Sequence, residues 1–215
     1  MSKYSIFAFV ESRCVCTAST YVFLTDDYSL YSQLQSTIHE LWAIVYGSTL
    51  ETRPRYIVGR CFKTYPLLQI SKMLEVIGIA HHDFRRSVSI ARNSGLTDIY
   101  NLVNKRNETS ADIQKLRSLH VEMDHAVAAA YGWTDLELGH GFHETKQGVR
   151  YTICEAARRE VLARLLKLNH ERYAEEVRLG LHDKKGAAKK TAAKKAPGKS
   201  IAKQATLFDL GEDSE

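Results

Sequence analysis

The sequence predicts an α+β protein with a small N-terminal β-sheet, a mainly helical body and a disordered basic C-terminal tail. Residues 4–10 form an almost wholly apolar and aromatic run, which is typical of a strand covered on both faces. Apolar residues recur at helical spacing through most of residues 67–180. Residues 184–203 are rich in Lys and Ala and have no hydrophobic face, so they cannot repay the entropy of ordering. We therefore divide the chain into a strand-rich part (1–66), a helical region (67–180) and a tail (181–215).

The body of the protein has the composition of a globular domain and is close to neutral. Of the 215 residues of the whole chain, 44% are hydrophobic and 26% are charged. Residues 183–203 carry eight Lys and one Asp, residues 204–215 carry four acids, and the other residues hold 22 Lys or Arg against 20 Asp or Glu. The basic run predicts either sequence-independent attraction to nucleic acid, which weakens with salt, or a solubilising role.

The sequence has no pattern of a secreted or membrane protein. No run of about 18 apolar residues occurs, and Lys3 precedes only a short apolar run instead of a signal peptide. Cysteines at positions 14, 16, 61 and 154 match no zinc spacing. We expect a cytoplasmic protein with reduced thiols and no membrane partner, in which Cys14 and Cys16 are a weak metal candidate.

The strand-rich part combines short strands with one helix. Its first strands are predicted at residues 4–10, 15–18 and 21–24. A helix follows, with Asp26 or Asp27 as the N-cap and Gly47 at its end. Residues 53–55, Arg-Pro-Arg, form an extended basic segment, and residues 56–62 have the composition of a further strand.

Four helices are expected in the helical region, at residues 67–93, 96–104, 110–131 and 152–180. Gly95 and Gly132 follow two of them, and glycine is common at the left-handed position that closes a helix. Thr152 and Glu155 match the capping box, in which each side chain accepts a hydrogen bond from a backbone N–H of the first turn.

The connection over residues 132–153 is long for two packed helices and rich in glycine, histidine and charged residues. It is either a functional loop or an irregular excursion held by Trp133 and Phe142. A metal bound by His140, His143 and Glu144 is a third interpretation, but this spacing lacks the i, i+4 separation of helical zinc motifs.

Several basic residues are candidates for contact with double-stranded DNA. Arginine reads guanine edges, and both Arg and Lys hold phosphates. The candidate DNA-binding residues are Arg53, Arg55, Arg60, Lys63, His140, His143, Lys146 and Arg150. The alternative for each is solvated surface charge, or a structural hydrogen bond for the histidines.

Catalytic and cofactor motifs are not found in this sequence. It contains no glycine-rich phosphate loop, and prolines at 54, 66 and 197 form no Pro-Pro pair. We expect no catalytic residue and no cofactor in this chain.

The tail contains one apolar island, residues 204–210, Gln-Ala-Thr-Leu-Phe-Asp-Leu. It resembles the Gln-x-x-Leu-Phe peptide by which bacterial DNA-processing proteins dock on the replication sliding clamp. Through Gln204, Leu207 and Phe208 the tail would bind that clamp, or a groove on the protein's own body. The remaining alternative is an idle tail.

Five segments together resemble the C-terminal region of large adenine-specific DNA methyltransferases, namely the MmeI-type restriction-modification enzymes and related phage-defence methyltransferases. They are residues 36–43 (STIHELWA), 46–50 (YGSTL), 61–66 (CFKTYP), 119–124 (LHVEMD) and 138–151 (LGHGFHETKQGVRY). The resemblance covers roughly residues 4–178. Relatives tend to have Cys-Phe-Glu-Thr-Phe-Pro at residues 61–66, so the recognition residues there do not transfer.

The resemblance implies a DNA target-recognition module. In that family the catalytic Asn-Pro-Pro-Tyr and the S-adenosylmethionine loop lie upstream of this region, and this sequence has neither. We therefore expect a non-catalytic protein whose partners are double-stranded DNA and a methyltransferase catalytic subunit that binds S-adenosylmethionine. The alternatives are a helical docking scaffold for a methyltransferase or nuclease partner, and a non-functional gene remnant.

Overall fold

The computed structural model describes residues 4–11, 13–16, 20–50 and 53–181, without the side chains of residues 49, 50, 53 and 54. The chain divides into two compact units, Met1–Arg172 and Tyr173–Glu215. Apart from Leu181, the predicted tail lies outside the described residues, and so does its clamp-like peptide with Gln204, Leu207 and Phe208.

The fold is α+β, as predicted, and mainly helical. The described residues form seven helices and two antiparallel two-stranded hairpins. In chain order these are α1 Tyr28–Gln35, α2 Thr37–Tyr46, β1 Ser48–Leu50, β2 Arg53–Arg55, α3 Val58–Cys61, α4 Lys72–Ala91, α5 Leu96–Val103, α6 Ala111–Ala130, β3 Gly141–Thr145, β4 Gly148–Thr152 and α7 Glu155–Arg178. No helix in the described ranges is both long and apolar enough to cross a membrane.

Two clusters of apolar side chains form the core. The larger joins α2, α4, α6 and α7, and its buried members include Trp42, Leu74, Val127, Val161 and Leu165. Val161 and Leu165 are four residues apart, so they lie on one face of α7. The smaller joins Val88, Ile99, Val103, Ile113 and Leu116. Each fully buried Leu or Ile contributes about 1.5–3 kcal/mol to stability.

Helix α1 is buried although most of its inward residues are polar. Gln33 Oε1 accepts a hydrogen bond from the Leu68 N–H (2.8 Å), and Ser29 Oγ accepts one from the Ser71 N–H (3.0 Å). These side chains satisfy the backbone of the irregular segment before α4. The sequence predicted one helix through residues 28–46, whereas the chain breaks at Ser36, whose extended backbone caps α2.

The strands predicted at residues 4–10 and 21–24 are wrong, because these segments are irregular in the structure. Side chains replace the neighbouring strand: the Phe7 N–H donates to Gln35 Oε1 (2.9 Å), and Arg85 Nη2 donates to the Phe7 carbonyl (2.7 Å). The Phe9 ring packs against Tyr28, with ring centres 4.5 Å apart. The strand predicted at residues 15–18 lies partly outside the described residues.

The strand predicted at residues 56–62 is also wrong, since its middle forms α3. The extended backbone predicted at residues 53–55 is confirmed as β2, which pairs with β1. The helix predicted from residue 67 begins only at Lys72 as α4. Asn93, not Gly95, takes the left-handed backbone conformation (φ 46°) after α4.

The capping box predicted at Thr152 and Glu155 does not form, because Thr152 is the last residue of β4. Helix α7 begins at Glu155, and the Ala157 N–H lies 3.4 Å from Cys154 Sγ. In contrast, the predicted helix at residues 110–131 is confirmed as α6, and Gly132 closes it with a φ of 79°.

Candidate nucleic-acid interface

The long connection between α6 and α7 contains a β-hairpin, which the sequence did not predict. Strands β3 and β4 pair from Gly141 opposite Thr152 to Thr145 opposite Gly148. Thr145 Oγ1 donates to the Gly148 carbonyl (2.7 Å) and accepts from the Gln147 N–H (3.1 Å). These bonds fix the turn and leave the Lys146 side chain exposed at its tip.

One face of the hairpin packs on a buried arginine. The Phe142 and Tyr151 rings contact each other across the strands, with centres 5.2 Å apart. The Arg117 guanidinium carbon lies 5.0 Å from the Phe142 ring centre and 5.4 Å from that of Tyr151. Arg117 donates hydrogen bonds to the carbonyls of Leu102, Val103, Lys105 and Glu108. This guanidinium therefore joins the hairpin to the end of α5.

The other face of the hairpin carries Arg150, which is directed inward. Its guanidinium carbon lies 4.5 Å from the Tyr4 ring centre, and its buried Nε has no hydrogen-bond acceptor among the described residues. Burial raises the pKa of Glu40 to about 7; the Arg150 charge lowers it and the Asp124 charge raises it. The contact of Arg150 with the Tyr4 ring therefore attaches this face of the hairpin to the body of the protein.

His140 anchors the chain just before the hairpin. Its Nε2 lies 2.9 Å from Oδ2 of Asp124, which is fully buried. The other oxygen, Oδ1, accepts the Thr37 N–H at 2.7 Å, at the N-terminus of α2, where a negative charge is favourable. His143 Nε2 donates to the Gly139 carbonyl at 2.9 Å, which fixes its ring. Both histidines therefore have structural hydrogen bonds.

Two arginines that the sequence analysis did not select lie beside the hairpin. Arg106 is exposed, and its guanidinium carbon lies 5.6 Å from the Phe142 ring centre. Arg158 of α7 donates from Nη2 to the Glu144 carbonyl at 3.0 Å. No local pattern marks them, because one is in a loop and the other on the charged face of a helix. Together with Lys146, they are the basic residues at the hairpin that we consider as DNA contacts.

The remaining predicted residues form a second group, near α3. Arg55, Arg60 and Lys63 have exposed side chains, and the Arg53 side chain is outside the described part of the chain. Thr64 fixes this segment, since its Oγ1 accepts from Trp42 Nε1 (3.2 Å) and its carbonyl accepts from Asn169 Nδ2 (2.6 Å).

The hairpin and the α3 segment contact α7 at two different positions along the helix. The hairpin contacts α7 at Arg158, and the α3 segment contacts it at Asn169. These residues are about three helical turns apart, roughly 16 Å at 1.5 Å per residue. That length equals about five base-pair steps of B-DNA.

The structure does not assemble the metal candidates into a site. Within the described residues, no three His, Cys, Asp or Glu side chains are grouped to hold a metal ion. Cys14 and Cys16 are exposed, whereas Cys61 is buried. Burial raises the pKa of the Cys61 thiol.

No protein-family model matches this chain, and no curated protein matches it. Among solved structures, it is similar to the type IIL restriction-modification enzyme MmeI, determined in complex with DNA. The TM-score is 0.48 and the sequence identity 21%. The match covers 70% of this chain and 17% of that chain, so this protein spans less than a fifth of MmeI.

Proposed function

We propose that this protein binds double-stranded DNA as a target-recognition module of an adenine-specific methyltransferase or restriction-modification system. The observation that carries the proposal is the hairpin, which has Lys146 exposed at its tip, Arg106 beside the Phe142 ring and Arg158 hydrogen-bonded to the Glu144 carbonyl. The restriction-modification assignment rests on the five sequence segments that resemble those enzymes. Methyl transfer, with S-adenosylmethionine, belongs in this proposal to a partner chain.

A two-stranded β-ribbon has the width that the major groove of B-DNA admits. In the proposed complex the turn with Lys146 and Gln147 enters the groove. Arg106 and Arg158, which contact Phe142 and Glu144 of the hairpin, bind phosphates and set its register. The α3 segment, which carries Arg60 and Lys63, contacts α7 at Asn169, roughly 16 Å along the helix from Arg158. In the proposed complex the group of Arg55, Arg60 and Lys63 contacts the same duplex about five base pairs from the hairpin.

The hairpin is held in one orientation before DNA arrives. Arg117 packs on Phe142 and Tyr151 on one face, while Arg150 packs on Tyr4 on the other. Because these contacts already order the strands, binding would lose little conformational entropy at the interface. This gives His140 and Arg150 a role in positioning, beside the DNA contact that the sequence predicted for them.

We predict that the double variant Arg106→Ala, Arg158→Ala binds all duplexes more weakly than the unmodified protein. Each phosphate that is no longer neutralised reduces the slope of log K against log salt by about one. Fluorescence anisotropy with a labelled duplex, titrated at several salt concentrations, measures both quantities.

Lys167→Ala is the matched control, since Lys167 is an exposed cation of the same helix. Nine residues are about two and a half turns, so Lys167 lies on the opposite face of α7 from Arg158, and it lies about half a turn from Asn169 as well. Lys167→Ala should leave affinity almost unchanged. Equal affinity and equal salt slope for the double variant and the control would contradict a DNA contact at the hairpin.

A further inference from the structure

Helix α4 carries an apolar stripe on its outer face. Met73 and Val76 are 49% and 58% exposed, and with Ile77 and Ala80 they line a groove of about 500 Å³. Ala126 of α6 forms part of the other wall. Large apolar side chains grouped on one groove are typical of a protein–protein contact, whereas single exposed ones are ordinary.

The two ends of this groove have opposite charge. Helices α4 and α6 run antiparallel, since Leu74 and Val127 share one cluster while His81 Nε2 lies 3.1 Å from His120 Nε2. Lys72 therefore lies at one end of the groove, and Glu122 lies at the other, opposite residue 79 of α4 and roughly 10 Å from Lys72 along the helix axis.

This arrangement is self-complementary. A two-fold axis through the groove at Val76 would place a second α4 antiparallel to the first. Lys72 of each copy would then face Glu122 of the other, and the apolar residues would meet between two ion pairs. We infer that the α4–α6 groove is the interface of a homodimer of this chain.

The present partners of the two charged residues do not prevent this pairing. Lys72 lies 3.5 Å from Glu75, and Glu122 lies 3.9 Å from Lys115. All four side chains are at least 42% exposed, and exposed pairs of this kind contribute little to stability. Lys72 and Glu122 can therefore exchange these partners for each other across the interface.

Sedimentation velocity of the full chain over the micromolar range tests the inference. The unmodified protein should show a concentration-dependent dimer, and Val76→Glu should be monomeric. Ile90→Glu is the matched control, because Ile90 is 70% exposed on the same helix, roughly 21 Å from Val76. It should dimerise as the unmodified protein does, and circular dichroism checks that both variants are folded.

Exchange of the charges distinguishes this dimer from other associations. Lys72→Glu and Glu122→Lys should each weaken dimerisation by roughly tenfold or more, since each places like charges opposite one another. The double variant should restore it. A protein that is monomeric at every concentration, a Val76→Glu variant that still dimerises, or a double variant without recovery would each overturn the inference. Binding of an unrelated protein to the groove of a monomer would overturn it as well.

Discussion

At the scale of single residues, the protein environment favours the neutral form of His39 and of His120. His39 Nδ1 donates to the Leu34 carbonyl at 2.8 Å, so its Nε2 accepts from the Tyr56 hydroxyl at 3.1 Å. Burial lowers the pKa of His39 to about 4. His120, whose Nε2 lies 3.0 Å from the Tyr100 hydroxyl, also has its pKa lowered by burial to about 4.

We predict that the free energy of unfolding decreases as the pH falls from about 6.5 to about 4. In that range the unfolded chain binds protons at His39 and His120 and the folded protein does not, so proton binding stabilises the unfolded state relative to the folded state. Each histidine lowers the free energy of unfolding by up to about 3 kcal/mol once it is protonated in both the folded and the unfolded state. Urea denaturation at a series of pH values measures the loss.

Glu40 acts in the opposite direction, because burial raises its folded-state pKa from 4.5 to about 7. Its carboxyl therefore stabilises the fold below the unfolded pKa, and this contribution is lost as the pH rises through 7. The control variant Glu40→Gln should be more stable than the unmodified protein above pH 7, by up to about 3 kcal/mol, and should lose stability more steeply on acidification. An unchanged pH profile in this variant would argue against a raised Glu40 pKa.

Sequence could identify His140 and Arg150 as residues with a special role but not the nature of that role. Their partners, Asp124 and Tyr4, are distant in the chain. A histidine on a buried carboxylate and an arginine on an aromatic ring are arrangements of the tertiary fold. The spacing of the residues carries no information about them.

At the scale of secondary-structure elements, the local sequence pattern was sufficient to predict a helix where the residues of the helix themselves determine its bounds. Helices α5 and α6 have regular apolar spacing, and their bounds agree with those predicted to within one residue. The strand prediction for the N-terminal segment was wrong because the backbone groups of Phe7 form their hydrogen bonds with the side chains of Gln35 and Arg85 and not with another strand. An apolar, aromatic composition is compatible with either arrangement. The hairpin was missed because Gly141 and Gly148 suggested a loop.

We predict that Gly148→Ala destabilises the hairpin by about 1–2 kcal/mol. Gly148 has a φ of 91°, which alanine adopts only with strain, while its added Cβ would meet no described atom within 4 Å. The cost is therefore conformational and not steric. Chemical denaturation measures the change in stability, and hydrogen exchange of the β3 and β4 amides locates it.

Gly59→Ala is the matched control, since an added Cβ there also meets no described atom within 4 Å and the backbone is helical. It should be neutral or slightly stabilising. Equal changes in stability for the two substitutions would show that the positive φ at Gly148 does not contribute to the effect of Gly148→Ala.

At the scale of the whole molecule, the concentration of positive charge in the tail predicts that the tail and the body contribute differently to DNA binding. The tail contributes affinity for any duplex, and the body contributes sequence preference. Eight lysines in residues 183–203 can neutralise phosphates but cannot select bases. Deleting residues 183–215 should weaken binding to all duplexes alike and reduce the salt slope by about 0.9 for each phosphate that the tail neutralises. Arg55→Ala or Arg60→Ala should instead narrow the gap between a selected duplex and random DNA by about 1–3 kcal/mol. If truncation erased the preference and both arginine variants kept it, the two roles would be reversed.

The most direct test of DNA binding through the hairpin is site-specific cross-linking from its tip. Cys14 and Cys16, which are exposed, and Cys154, which is half-buried, are first replaced by serine. A photoreactive group is then attached to Lys146→Cys or, as the control, to Lys167→Cys on the opposite face of α7 from Arg158. We predict efficient cross-linking of a duplex from position 146, suppressed by unlabelled competitor DNA, and little from position 167. Equal yields from the two positions, or no yield from position 146 under conditions where the protein binds DNA, would contradict the proposed interface.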